Sequence, residues 1–197
     1  MLDRFLEELD RSGLVPPSLT TLIGYSGGAD STALLHLMHR AELKVVAAHL
    51  HHGMRAEADE EQQMCESFCG SLGIDLVCGR ADVPRMATDL KKGVEEAGRD
   101  ARYLFFHESA RRLGVPLIAT AHTRDDHVES ILLNVVRGSG QARLAGIPSR
   151  RGIIVRPILW ATRAETRAYC VEHGLWFHDD PANDDDTFAR VRLRKNI

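Results

Sequence analysis

Cysteine is scarce: Cys65, Cys69, Cys78 and Cys170 are the only four in 197 residues, and no two form a C-x-x-C pair. That spacing spells out neither a zinc ribbon nor a redox pair, and it fits a reducing cytoplasm. Cys65 and Cys69 read instead as one buried helix face. No apolar run approaches the roughly 20 residues that span a bilayer, so no membrane association is expected. The opening string MLDRFLEELDRSG carries acids and no apolar centre, so no secretory signal is expected either. Lysine is also rare, four against 21 arginines, and the net charge of −3 argues against a wholly basic nucleic-acid binder. No internal repeat or low-complexity segment is present.

What is present is a globular composition, 44% hydrophobic and 27% charged, long enough for one domain with a real core. Apolar runs alternate with amphipathic segments. LTTLIGYS (19–26), KVVAAHLHH (44–52), GIDLVC (73–78), VPLIATAH (115–122) and GIIVRPI (152–158) read as buried strands. Helical patterns cover 30–41, 57–72, 95–113, 123–137 and 162–174. Each spacer is long enough for a crossover, which predicts an α/β fold of three layers: a mostly parallel sheet with helices on both faces. Two stretches look like loops, 78–93 and 137–152. In such folds ligands sit beyond the carboxyl ends of the strands, and Ser26, His49–His52 and Ala121–Asp126 fall there.

The string SGGADS, Ser26 to Ser31, follows a strand and opens a helix. Gly27 and Gly28 permit backbone conformations closed to other residues and a close approach to an anion. The helix starting near Ala29 or Asp30 aims free N–H groups at that anion, and Ser26 and Ser31 add hydroxyls. Lysine is missing, so the Walker A loop is excluded, and so is G-x-G-x-x-G. The string resembles the pyrophosphate loop (PP-loop) of ATP pyrophosphatases, which cut ATP between the α and β phosphates. Asp30 in this place either helps to hold magnesium or caps the helix.

Three further segments carry candidates whose chemistry stays open on spacing alone. His49 and His51 point to one side of a strand and His52 to the other; matched metal ligands are lacking, and polar strand-end residues would look the same. Glu95, Arg99 and Arg102 share a helix face, as a substrate grip or as a solvated ladder of charge pairs. His122, Asp125, Asp126 and Glu129 sit where a strand passes into a helix. Carboxylates there cap the helix, hold magnesium, or bind an incoming amine.

In order along the chain, these segments resemble tRNA(Ile)-lysidine synthases. His49, His52, Gly53 and Arg55 match H-x-x-H-G-x-R, which borders the nucleotide pocket in that family. Glu95, Arg99, Arg102 and Tyr103 match E-x-x-A-R-x-x-R-Y, with Gly98 in place of alanine. His122, Asp125, Asp126 and Glu129 match H-x-x-D-D-Q-x-E-T, with His127 and Ser130 as departures. Arg137–Gly140, Leu144 and Gly146 match R-G-S-G…L-x-G. Asp180, Asn183, Arg190, Arg192 and Arg194 match D-x-x-N…R-x-R-x-R, with Val191 where asparagine is usual. Arg156 and Pro157 lie in VRPIL between them.

The resemblance implies ATP and magnesium as cofactors, with free lysine and tRNA(Ile) as partners. ATP adenylates the oxygen on carbon 2 of the wobble cytidine, and the lysine amine then displaces AMP. It implies catalytic roles for Asp30, Asp126 and Glu129, with Asp30 and Asp126 on the metal. Ser26–Ser31, His49 and His52 would hold ATP. Glu95, Arg99, Arg102, His122, Asp125, Arg137, Arg190, Arg192 and Arg194 would hold tRNA or substrate. The expected organisation is one catalytic domain over 1–197, its core at about 18–180, with the arginine-rich 181–197 leading into a further C-terminal region. Oligomeric state is left open, a homodimer included. The rivals are another enzyme with this loop, such as a tRNA thiolase or an amide-forming synthase, and a non-enzymatic ATP-binding module.

Overall fold

The computed structural model describes residues 1–53, 58–136 and 145–178. Strands β1 (Thr21–Gly24), β2 (Val45–His51), β3 (Leu76–Arg80), β4 (Leu117–Ala119), β5 (Arg150–Arg151) and β6 (Ile154–Val155) form one sheet in the order β3-β2-β1-β4-β6-β5. β1 lies in its interior, parallel to β2 and β4, with Thr21 opposite both Val45 and Leu117. β4 pairs with β6 in parallel, and the short β5–β6 hairpin is the antiparallel exception. The expectation of a mostly parallel sheet therefore holds.

Successive strand residues face opposite sides of a sheet, and the cores divide accordingly. Ile23, Ala47, Ala119 and Val155 point to one face, where they meet Phe5 of α1 (Leu2–Ser12), Leu34 and Met38 of α2 (Ala29–Arg40), Cys65 and Cys69 of α3 (Ala58–Ser71) and Cys170 of α7 (Arg163–Glu172). Leu22, Ala48, Ile118 and Ile154 point to the other, against Phe106 and Ala110 of α5 (Val94–Leu113). α4 (Val83–Leu90) adds Val83 and Ala87 to that second layer, and α6 (Arg124–Val136) follows β4. Each fully buried leucine or phenylalanine contributes about 1.5–3 kcal/mol. α2 has no wet face from Ser31 to Met38, as expected of a helix packed between a sheet and other helices. Gly24 is required by closeness: a Cβ there would lie 2.6 Å from the Phe106 ring.

Three elements depart from the sequence expectation: α4, α1 and β5, whose Arg150–Arg151 falls inside the 137–152 stretch read as a loop and pairs with β6 in a short hairpin. The 78–93 stretch is not all loop, because α4 forms in it. Asp82 caps this helix by accepting the Arg85 N–H at 3.0 Å, Pro84 sits in the first turn where its missing N–H costs nothing, and Val83 and Ala87 supply a buried face. α1 precedes the first expected strand and is anchored by the fully buried Phe5.

α2 and α7 are joined where His36 Nδ1 meets the Tyr169 hydroxyl at 2.8 Å, with the His173 ring 5.5 Å from that of His36. Burial, and then His173, Arg40 and His39, push the His36 pKa down to about 4 from an ordinary 6.5. The unfolded chain therefore takes up this proton first as pH falls, so the stabilisation is complete above 6.5 and is lost between 6.5 and 4. Melting temperatures followed by circular dichroism should fall across that window, and less steeply in His36→Asn.

Candidate active site

β1 leads into Tyr25, whose N–H bonds Ala48 O at 2.9 Å and whose carbonyl meets His49 Nδ1 at 3.0 Å. The chain then turns through Ser26–Gly28 into α2. Ser31 Oγ accepts the Ser26 N–H at 3.2 Å and donates to Gly28 O at 2.9 Å. Its hydroxyl thus braces the turn rather than standing free for a ligand. Ser26 Oγ lies 3.1 Å from Ser31 Oγ and accepts the Gly28 N–H at 3.4 Å.

The two glycines play different parts. Gly27 has φ +81, and a Cβ there would lie 2.9 Å from His178 Nδ1 and 3.0 Å from Cys65 Sγ. Gly28 is extended (φ −75), so the expectation that both glycines need special backbone freedom is corrected to Gly27 alone. Gly28 is the N-cap of α2, which also removes capping as the role of Asp30. The first-turn N–H groups of α2, at Ala29, Asp30 and Ser31, have no carbonyl of their own helix to bond. With the positive end of the dipole behind them, they favour an anion.

Asp30 reaches away from its own helix to α7. It accepts the Thr166 hydroxyl and lies 4.0 Å from Arg163 Nε. The same guanidinium pairs with Asp126 through Nη2 and with Glu129 through Nη1, the latter at 2.5 Å. Asp126 Oδ2 also accepts the Thr123 N–H at 2.8 Å and the Thr123 hydroxyl at 3.0 Å. Asp125 accepts the Arg163 N–H at 2.9 Å and so secures the start of α7, where Thr162 and Glu165 form a reciprocal capping box. The three expected catalytic acids therefore meet around one arginine.

Their electrostatics differ. Burial raises the Asp30 carboxyl above its ordinary range; Thr166 and Arg163 oppose the rise, while Asp126 and Asp125 add to it. Burial acts on Asp126 too, but Arg163 and the Thr123 hydrogen bonds outweigh it and hold Asp126 below the ordinary range, firmly ionised. Arg163 is itself raised despite its burial, because Glu129 and Asp126 fix its charge. His122, bonded to Thr120 Oγ1 at 2.9 Å, is pushed down to about 4, first by burial and then, against Asp126, by Arg156, Arg99 and Arg102. It is neutral at pH 7.

The histidine segment packs alongside. His49 is buried, which lowers its pKa against the lift from the Tyr25 carbonyl. His51 Nδ1 accepts the Gly53 N–H at 3.0 Å. His52 Nε2 receives Arg102 Nη2 at 3.5 Å, and Arg99 lies over the Tyr103 ring at 5.0 Å. Glu95 stands in the first turn of α5. Arg55, Arg137, Asp180, Asn183, Arg190, Arg192 and Arg194 lie outside the described residues.

Arg163, Thr166 and His178 went unassigned in the sequence. A T-x-x-E signature at 162–165 marked the start of α7, but nothing local says that this start aims at Asp30 and Asp126.

The sequence pattern of the PP-loop domain matches residues 3–197. The tRNA(Ile)-lysidine synthase of Geobacillus kaustophilus is 37% identical over 206 residues, covering 100% of this chain and 44% of that protein. The tRNA(Ile)-lysidine synthase of Thermus thermophilus is 39% identical over 178 residues, covering 90% and 35%. The chain thus spans less than half the length of either relative. Among solved structures, the U34-tRNA thiolase NcsA of Methanococcus maripaludis superposes with a TM-score of 0.77 at 14% identity, over 98% of this chain and 72% of that one. The NH3-dependent NAD synthetase of Campylobacter jejuni gives 0.56 at 17%, over 99% and 80%. At such identities the structural likeness speaks for the fold alone.

Proposed function

Because this chain belongs to the PP-loop domain family, we propose that it is the catalytic part of an enzyme that ligates free lysine to carbon 2 of the wobble cytidine of tRNA(Ile), at the expense of ATP. One observation carries this reading. The anion-favouring start of α2 and the acids for an amine are a single structure, since Asp30 of the glycine turn shares Arg163 with Asp126 and Glu129.

The α2 N–H groups and dipole take the β and γ phosphates and stabilise them as pyrophosphate leaves. The cytidine oxygen attacks the α phosphorus, which exchanges a phosphoanhydride bond for an O–P bond to the base. The lysine ammonium docks on Asp126 and Glu129. It loses a proton to a carboxylate, attacks carbon 2 and expels AMP. Three carboxylates face one guanidinium, so charge remains for further cations.

Among the described residues no preformed cage of three metal-ligating side chains exists. This suits magnesium, which usually takes one or two carboxylates plus substrate phosphates. Asp30 and Asp126 would hold it, and it would supply positive charge to the departing phosphates. Arg99 and Arg102, with Arg137, Arg190, Arg192 and Arg194, would grip RNA phosphates, and the target base would leave its stack to enter. No helix among the described residues is long and apolar enough to cross a membrane, and a cytoplasmic location suits a tRNA substrate.

A thiolase is the nearest alternative, but the cysteines speak against sulfur chemistry. Cys65, Cys69 and Cys170 are buried, each pushed up to about 12 chiefly by that burial, and exposed Cys78 is raised to about 11. Thiolate, the reactive form, is suppressed in all four. Pyrophosphate release with ATP, tRNA(Ile) and lysine, each omitted in turn, tests the proposal. Lysine should be joined to the tRNA only in the complete mixture. A product formed with sulfide in place of lysine would overturn it.

A further inference from the structure

The glycine turn is held from outside by one continuous stretch of chain, α7 and the residues that follow it. Within α7, Thr166 donates to the Asp30 carboxylate and Cys170 Sγ donates to Ala29 O at 3.4 Å. α7 ends at Glu172, and Gly174 (φ +62) turns the chain back. Leu175, Trp176 and Phe177 pack on the first core, with the Arg167 guanidinium 4.9 Å above the Phe177 ring. His178 then reaches the turn. Its N–H donates to Gly27 O at 3.0 Å, and it pairs with Gly28 as a single parallel bridge. No role above uses its side chain.

That side chain is 18% exposed, and Nε2 faces Glu61 Oε2 of α3 at 3.9 Å. Nδ1 and Cε1 lie 2.9 and 3.2 Å from where a Cβ of Gly27 would stand, and Cys65 Sγ lies 3.0 Å from the same point. Nδ1 is buried and has no hydrogen-bond partner among the described residues. The ring nitrogen gains no bond in this place, so what the ring supplies to Gly27 is shape. Glycine visits positive and negative φ almost equally, and nothing in Gly27 itself holds φ at +81. Donors that stabilise a departing anion act best when they are fixed beforehand.

We propose that His178 is a positioning residue for the glycine turn: its ring walls the open face of Gly27 and so fixes the N–H groups that receive the departing phosphates. This rests on the phosphate-binding reading of the turn. It confines the residue to the first chemical step, because displacement of AMP follows pyrophosphate release and no longer uses those N–H groups.

His178→Ala removes the wall and keeps the backbone tie to Gly27 O, while His178→Leu fills the same place without a nitrogen. At saturating ATP with tRNA(Ile) and lysine, His178→Ala should slow pyrophosphate release by about tenfold to a hundredfold. It should also weaken the binding of α,β-methylene-ATP with magnesium, read by calorimetric titration, by about tenfold. AMP displacement from pre-adenylated tRNA should keep its native rate, and the melting temperature should stay near that of the native chain. His178→Leu should behave as native in all four. Gly27→Ala should cost several-fold less in the His178→Ala background than in the native one, since the two changes share one space. A leucine variant as impaired as the alanine variant would make the nitrogen the operative group and overturn the proposal. So would native pyrophosphate release in His178→Ala, or equal slowing of both steps. A native chain that binds the analogue but never joins lysine to tRNA would refute the lysine-ligating reading instead, and the analogue affinities of the two variants would still decide the role of His178.

Discussion

Gly27→Val is expected to lower pyrophosphate release by at least roughly a thousandfold, about 4 kcal/mol of transition-state stabilisation. Two effects add. A β-branched residue strongly resists a φ of +81. Its Cβ would also press on His178 Nδ1 at 2.9 Å and Cys65 Sγ at 3.0 Å, both held by neighbouring elements. The turn must open, and the N–H groups at the start of α2 then lose their aim at the phosphates. Gly28→Ala is the matched control for the backbone. Gly28 is already extended, and a Cβ there meets only Ser26 Oγ at an ordinary 3.5 Å. Its melting temperature should stay near that of the native chain, so steady-state pyrophosphate assays beside melting curves separate loss of the turn from loss of the fold.

Asp126→Asn should slow displacement of AMP from pre-adenylated tRNA by about a hundredfold to ten-thousandfold, with a smaller effect on adenylation. The carboxylate does two jobs through two oxygens: Oδ2 takes the Thr123 N–H and hydroxyl, and Oδ1 takes Arg163. An asparagine can keep its amide oxygen on Thr123 only by turning its NH2 toward the guanidinium. The charge that holds an ammonium is then gone, and Arg163 is left to Glu129 and the more distant Asp30. Single-turnover kinetics on adenylated tRNA reads the step directly, and a native rate would remove Asp126 from it.

The strand–turn–helix around Ser26–Ser31 was legible because its signals are local: an apolar run, two glycines and a helical period starting at once. The mostly parallel pairing followed for the same reason, since crossover lengths can be counted along the chain. α4 was hidden by a proline that usually breaks helices but here occupies the one turn that tolerates it. Asp126 and Glu129 could be placed together because they lie one helical turn apart. Their tie to Asp30 could not be, because it runs through Arg163 and Thr166, on a helix more than a hundred residues later in the chain than Asp30. Asp125 illustrates the same limit: its capping role was foreseeable, but the helix it secures is α7 rather than its own.

The central claim is that the start of α2 holds the two phosphates that leave. A crystal structure of the chain with magnesium and α,β-methylene-ATP, which cannot be cut at that bond, tests it most directly. The β- and γ-phosphate oxygens are predicted to lie about 3 Å from N–H groups between Gly27 and Ser31, with the α phosphorus turned toward Asp126. Phosphates bound elsewhere, or a nucleotide inverted so that its γ phosphate faces Asp126, would contradict the account.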